Sequence, residues 1–184
     1  MLQRTTTRQV LRVYGEFLRR YPHPEALLGA NYVEVETLLR PLGLRGRVKV
    51  LFELARLIVN ELRGAIDCSR DVLKKLPGVG DYVLAEFLLA YCSEPESLLD
   101  VNAIRVLSRV FGTKPSKQSP YKDRGFYEFA KSLVPREPEL ARAYNYGLLD
   151  FGREVCKARN PLCSDCALRD MCLYFTLPKN VSRG

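Results

Sequence analysis

Leu76-Pro77-Gly78-Val79-Gly80 separates two segments of helical periodicity, and the turn it makes decides how the chain folds. Two glycines two residues apart let the backbone turn sharply and remove the Cβ atoms that would hold a ligand away. Upstream, Asp67 or Ser69 caps a brief expected helix, Asp71 to Leu76. Downstream, a helix restarts at Asp81 and runs to about Cys92. Such a turn aims free N–H groups at the start of the second helix toward an anion, and a phosphate group suits it. In isolation a GxG turn is more often a plain helix–helix connection, so the rest of the chain has to decide.

Working outward, the pattern stays helical. Val10, Val13, Tyr14, Phe17 and Leu18 recur at helical spacing between Arg8 and Tyr21, and Pro22 and Pro24 are expected to stop that helix. A short helix is expected from Val33 to Leu39. A longer one, from Arg47 to Leu62, carries a stripe of Leu51, Leu54, Ala55, Ile58 and Leu62. Beyond the turn, Asp100 opens a helix that Gly112 closes, and Tyr121 to Leu133 and Pro138 to Val155 supply two more. The segment Ser116 to Asp123 is the most loop-like. No alternating stretch is long enough to predict a sheet, so the expected class is all-α.

The 184 residues suit one domain or two small lobes. Hydrophobic residues make up 47% and charged residues 27%, a soluble balance, and no apolar run approaches a membrane span. The first residues lack the separate charged and apolar regions of a signal peptide, so the expected location is the cytoplasm. Twenty-nine Lys and Arg against 21 Asp and Glu give a net charge of +8, which favours a polyanion as partner.

Six cysteines divide into two sets. Cys156, Cys163, Cys166 and Cys172 follow the spacing C-x6-C-x2-C-x5-C, so four thiolates can wrap one centre. Zinc sites usually show two close pairs separated by a longer span. Here only Cys163 and Cys166 are close, which favours a [4Fe–4S] cluster. Zinc and unligated cysteines are the alternatives. Lys157 and Arg159 sit between the first two cysteines, where they can press on phosphate. Cys68 and Cys92 stand apart and are expected to be ordinary core or near-surface thiols.

The hairpin, Leu99-Asp100-Val101-Asn102 with Arg105-Val106, and the four cysteines occur in an order and spacing that resemble the endonuclease III / MutY superfamily of helix-hairpin-helix DNA glycosylases. The similarity runs from Met1-Leu2-Gln3-Arg4-Thr5 to Cys172. It implies two helical lobes, expected at 8–112 with the hairpin and at 113–184 with the cluster loop 156–172, within one unit spanning 1–184. DNA would be gripped across the cleft between them, with Pro77, Gly78, Val79 and Gly80 on the backbone phosphates. The family's catalytic aspartate falls on Asp100, with Asn102 bonding back to the same turn. Asp100 is equally well placed to cap its helix, and the two roles can coexist.

The resemblance also implies a subtype. Members that nick the strand carry a lysine two residues after the last hairpin glycine, and its amine forms a Schiff base with the sugar. This sequence has Tyr82 there, and a phenol cannot form that imine. Adenine-removing members typically have serine. Tyrosine, with Arg4-Thr5-Thr6 and Leu99-Asp100-Val101-Asn102-Ala103, is similar to the archaeal Mig-type thymine/uracil mismatch enzymes. By the same resemblance Gln3 and Arg4 fill the hole left by an extruded base, and Leu44 wedges into the opposite stack; a Leu44 folded into the core is the alternative. The family usually has a further N-terminal helix before the Met1 equivalent, and adenine-removing members have an acidic residue just upstream and a C-terminal module. Their absence between Met1 and Gly184 is expected to count against adenine removal, unless the start is truncated or misassigned.

The expectation is a monomeric, monofunctional glycosylase. It would hydrolyse thymine or uracil from mispairs with guanine in double-stranded DNA, without membrane involvement. The rivals are an adenine glycosylase acting on A·G or A·8-oxoguanine mispairs, and a helix-hairpin-helix DNA-binding protein without catalysis.

Overall fold

The computed structural model describes residues 7–43, 45–62 and 64–176. Gln3, Arg4 and Leu44 lie outside the described residues. Within these, the chain forms ten α-helices and three short 3₁₀ turns, with no strand, as the all-α expectation requires. No described helix is long and apolar enough to cross a membrane.

Two compact units divide the chain, one ending at Gly80 and the next beginning at Asp81. In the second unit α6 (Asp81–Tyr91) and α7 (Val101–Phe111) both lie against α9 (Pro138–Glu154).

In the first unit, α1 (Thr7–Arg20), α3 (Tyr32–Leu39) and α4 (Arg45–Asn60) enclose a core that includes Val10, Val13, Val35, Leu39, Val48 and Ala55. Burying a side chain such as Val35 or Leu39 completely contributes about 1.5–3 kcal/mol. Tyr14 and Leu18, placed on the expected apolar stripe of α1, are instead exposed. Pro24 does not simply end a helix. It occupies the first turn of a five-residue helix, α2 (Pro24–Leu28), capped by His23, because a proline lacks only an N–H that this position leaves unpaired. Farther along, α5 (Arg70–Leu73) follows Ser69, and Leu73 and Leu76 are buried before the hairpin. Gly78 adopts φ 78°, and a Cβ there would stand 2.8 Å from Val50 Cγ1 on α4. The hairpin therefore needs its first glycine for both conformation and room.

In the second unit, α6 buries Leu84, Ala85, Leu88 and Leu89. Ala103, Val106, Leu107 and Val110 form one buried stripe on α7, spaced as a half-buried helix demands. Gly112, with φ 69°, ends α7 as expected. α8 (Arg124–Ser132) starts later than the expected Tyr121, because Asp123 accepts from Phe126 N and caps it; Tyr121 belongs to the 3₁₀ turn Pro120–Lys122. Glu137 caps α9, with Pro138 in its first turn. The chain continues through the 3₁₀ turn Arg169–Met171 into α10 (Leu173–Thr176), which the sequence pattern did not indicate.

Cys68 and Cys92 correct an expectation. Both are disulfide-bonded rather than free thiols.

Gly152 on α9 has no room for a side chain. An added Cβ would lie 2.8 Å from Asn102 Cβ and 3.0 Å from Asn102 O on α7. Because a backbone atom blocks it, Gly152→Ala is expected to destabilise the protein by about 1–3 kcal/mol, the scale of overpacking. A lowered denaturation midpoint in chemical unfolding would show this. An unchanged midpoint would mean that α7 and α9 can separate freely.

Candidate active site and cysteine segment

The N-terminus of α7 is organised by Asp100. Its backbone is extended (φ −91°, ψ 179°), and its side chain turns back over the first helical turn. Oδ1 accepts from Asn102 N at 2.7 Å and from Ala103 N at 2.8 Å. Oδ2 accepts from Asn102 Nδ2 at 2.8 Å. Three N–H donors therefore fix the carboxylate, and Oδ2 keeps a lone-pair direction for another partner. The expected bond from Asn102 to this turn is present.

Asn102 is itself held. Arg105 Nη2 donates to Asn102 Oδ1 at 2.9 Å and to Gly152 O at 2.6 Å, while Arg105 Nε donates to Cys156 O at 2.8 Å. One planar guanidinium thus joins the Asp100 turn, the end of α9 and the first cysteine of the expected cluster. A flexible ammonium has no such rigid fork. One turn later, Arg109 donates to Lys157 O at 2.7 Å, to Ala158 O at 3.1 Å and to Cys156 Sγ at 3.4 Å. Its guanidinium also lies 4.7 Å from the centre of the Tyr174 ring. The sequence reading quoted Arg105 without giving it a role and passed over Arg109. Their i, i+4 spacing on α7 is the signal that would have found both.

Tyr82 lies on the first turn of α6 and packs, partly buried, against the core cluster of Ala85, Leu89, Leu98, Val134 and Ala141. Burial, then the charges of Glu86 and Asp100, push ionisation of its phenol well above the usual range. The ring is therefore neutral and close enough to Asp100 to feel its charge. One turn on, Glu86 accepts from Tyr146 Oη at 2.8 Å, which adds a second carboxylate that the sequence reading missed.

In the hairpin, Val79 N donates to Leu76 O at 3.1 Å, and Gly78 and Gly80 are exposed. A Cβ on Gly80 would meet nothing, so the space over it is open. Asp81 opens α6 with a carboxylate that accepts from Ser119 Oγ at 3.3 Å. That charge competes with any phosphate for the same helix end.

The four clustered cysteines carry free thiols. Burial pushes the Cys163 thiol up, and Cys156, Cys166 and Cys172 push it further, while Arg109 opposes them. Cys163 is thus within electrostatic reach of the other three thiols, although among the described residues no three His, Cys, Asp or Glu side chains converge closely enough to hold a single ion. The carbonyls of Cys156, Lys157 and Ala158 accept from Arg105 and Arg109, and Lys157 and Arg159 are exposed.

Comparison with known proteins matches residues 1–129 to the HhH-GPD superfamily of base excision DNA repair proteins, and residues 156–172 to the iron–sulfur binding domain of endonuclease III. A thymine-DNA glycosylase of Aeropyrum pernix is 51% identical over 95% of this chain and 79% of its own length. A thymine/uracil-DNA glycosylase of Pyrobaculum aerophilum is 49% identical over 95% of this chain and 77% of its own. The solved structure of a thermostable thymine-DNA glycosylase superposes with a TM-score of 0.85 at 32% identity, over 95% of this chain and 79% of that one.

Among the described residues, Asn102 is the one side chain bonded to Asp100. Asn102→Ala removes the donor on Oδ2 and leaves both backbone donors on Oδ1. If Asp100 acts on substrate, base release measured under single-turnover conditions is expected to fall about tenfold, in keeping with slight misplacement of a reacting group. Duplex affinity should hold. An unchanged rate would show that the two backbone bonds suffice.

Proposed function

The chain belongs to the HhH-GPD superfamily of base excision DNA repair proteins, and within it we propose that it is a DNA glycosylase hydrolysing the base–sugar bond of thymine or uracil mispaired with guanine. The observation that carries this is the arrangement at Asp100: a carboxylate held by three N–H donors, with Oδ2 still able to face a reacting group. The similarity to thymine- and thymine/uracil-DNA glycosylases, at 51% and 49% identity, supports the choice of base.

Breaking the bond between the base nitrogen and C1′ sends its electron pair to the base and builds positive charge on the sugar. A carboxylate already oriented before substrate arrives stabilises that charge without reorganising. Water adds to C1′, and the proton it loses goes in the end to the departing base. Asp100 orients that water and balances the charge. Tyr82, a neutral phenol, can donate a hydrogen bond but offers no amine for imine formation. This supports hydrolysis without strand cleavage. The protein's contacts with duplex DNA would run through the backbone of Pro77, Gly78, Val79 and Gly80 and the exposed Lys157 and Arg159, with Gln3, Arg4 and Leu44 entering the stack.

The cofactor in this reading is a [4Fe–4S] cluster held by Cys156, Cys163, Cys166 and Cys172. The family match to 156–172 and the four free thiols, with Cys163 within electrostatic reach of the other three, support it. When bound, the cluster would tie four points of the segment together through iron–thiolate bonds.

A panel of duplexes, each with one different mispair, tests the base. Thymine or uracil opposite guanine is expected to be released fastest, and preferential release of adenine would replace the proposal. On the preferred duplex, Asp100→Asn keeps the side chain's size and its capping oxygen but removes the charge. Base release is expected to drop roughly a hundredfold while binding survives. Undiminished release would remove Asp100 from the chemistry.

Two further outcomes follow. Borohydride should trap no protein–DNA adduct, and the strand should stay intact until alkali is added; efficient trapping would point to a lysine nucleophile instead. The purified protein should contain about four iron atoms per chain, as measured by elemental analysis. Stoichiometric zinc without iron would refute the cluster.

A further inference from the structure

We propose that Tyr121 and Asn145 are positioning residues for Asp100, acting through the backbone segment 96–99 that delivers it to α7; this rests on the reading of Asp100 given above. Among the described residues the buried polar ones are Glu96, Ser97 and Asn145, at 1%, 0% and 1% exposure. Two of them lie in this segment, and the third is bonded to it.

The segment has no neighbouring strand, so its backbone groups must find partners elsewhere. Side chains supply them. Asn145 Oδ1 accepts from Leu98 N at 2.7 Å, and its Nδ2 donates to Glu96 O and to Ala141 O, both at 2.8 Å. Tyr121 Oη accepts from Leu99 N at 2.9 Å and donates to Ser97 O at 3.3 Å. The Glu96 carboxylate accepts from Lys131 Nζ at 2.6 Å and from Tyr127 Oη. Successive residues 96, 97, 98 and 99 are each tied down, and the residue that follows is Asp100.

A surface connection between α6 and α7 could have used water for these bonds. Burying them in protein costs desolvation, which these bonds offset for the backbone groups they reach, while Ser97 Oγ stays buried without a partner. What such a network adds is a single backbone path. Tyr121 bonds the N–H of Leu99, so the peptide joining Leu98 to Leu99, the last but one before Asp100, is held from the 3₁₀ turn Pro120–Lys122 while the carboxylate is held from α7.

The test uses the cofactor-loaded protein, with enzyme in excess over the duplex that the mispair panel shows to be preferred. Tyr121→Phe removes one hydroxyl and leaves the ring in place. The expected single-turnover rate constant is about tenfold lower, the order of effect produced by slight misplacement of a reacting group, with duplex affinity unchanged. The same substitution added to Asp100→Asn should change the residual rate by less than about twofold, because a residue that acts through Asp100 has nothing left to act on. Asn145→Ala is expected to follow the same pattern with a larger loss. Should it fail to fold, Tyr121→Phe decides alone.

A folded Tyr121→Phe protein with an undiminished rate would overturn the proposal. So would equal losses in both backgrounds, which would mark a general structural effect. If Asp100→Asn alone releases base at the full rate, the reading of Asp100 fails and takes this inference with it. That result is distinct from an inactive Asp100→Asn beside an unaffected Tyr121→Phe.

Discussion

At the N-terminus of α7, Asp100 spends one carboxylate oxygen on two backbone N–H groups and receives Asn102 Nδ2 on the other. A side-chain cap of this kind is worth about 1 kcal/mol to a helix. Its larger consequence here is geometric. The cap ties the carboxylate to a rigid helix, so its position follows α7 rather than its own rotamers. That is the condition for a group that must meet charge as it develops, without first rearranging. Stabilising the helix and holding the proposed catalytic carboxylate are one act.

The surroundings of α7 extend the same constraint. Gly152 lets the backbone of α9 come within reach of Asn102, and Arg105 fills the junction with bonds to Asn102, Gly152 and Cys156. Arg109 repeats the device on the next turn, holding the loop that follows Cys156 by its carbonyls. Backbone carbonyls at the end of a helix lack intrahelical donors. Arg105 satisfies one of them, Gly152 O, and the two arginines also bond the carbonyls of Cys156, Lys157 and Ala158 beyond the end of α9. The cysteine segment and the Asp100 turn are therefore neighbours in one hydrogen-bonded arrangement, although more than fifty residues separate Asp100 from Cys156 along the chain.

Tyr82 shows how environment sets ionisation. In water a phenol is already a weak acid. Partly buried against the core cluster that contains Ala85 and Leu98, and within reach of the charges of Glu86 and Asp100, it becomes weaker still.

Much of this was legible in the amino-acid sequence alone. The capping position of Asp100, the glycines at 78 and 112 and the cysteine spacing are local signals, carried by residues near one another in the chain. Short elements were not legible. Pro24 reads as a helix stop, yet it starts α2, and nothing in the pattern announces α10. Tertiary structure alone decided the rest. It set the division between Gly80 and Asp81, the disulfide bonding of Cys68 and Cys92, the exposure of Tyr14 and Leu18, and the meeting of Asn145 and Tyr121 with segment 96–99. The physical reason is common to all four. Each depends on which distant surfaces pack together, and a buried Asn on α9 has no local mark to distinguish it from an exposed one until the backbone it must satisfy is folded against it.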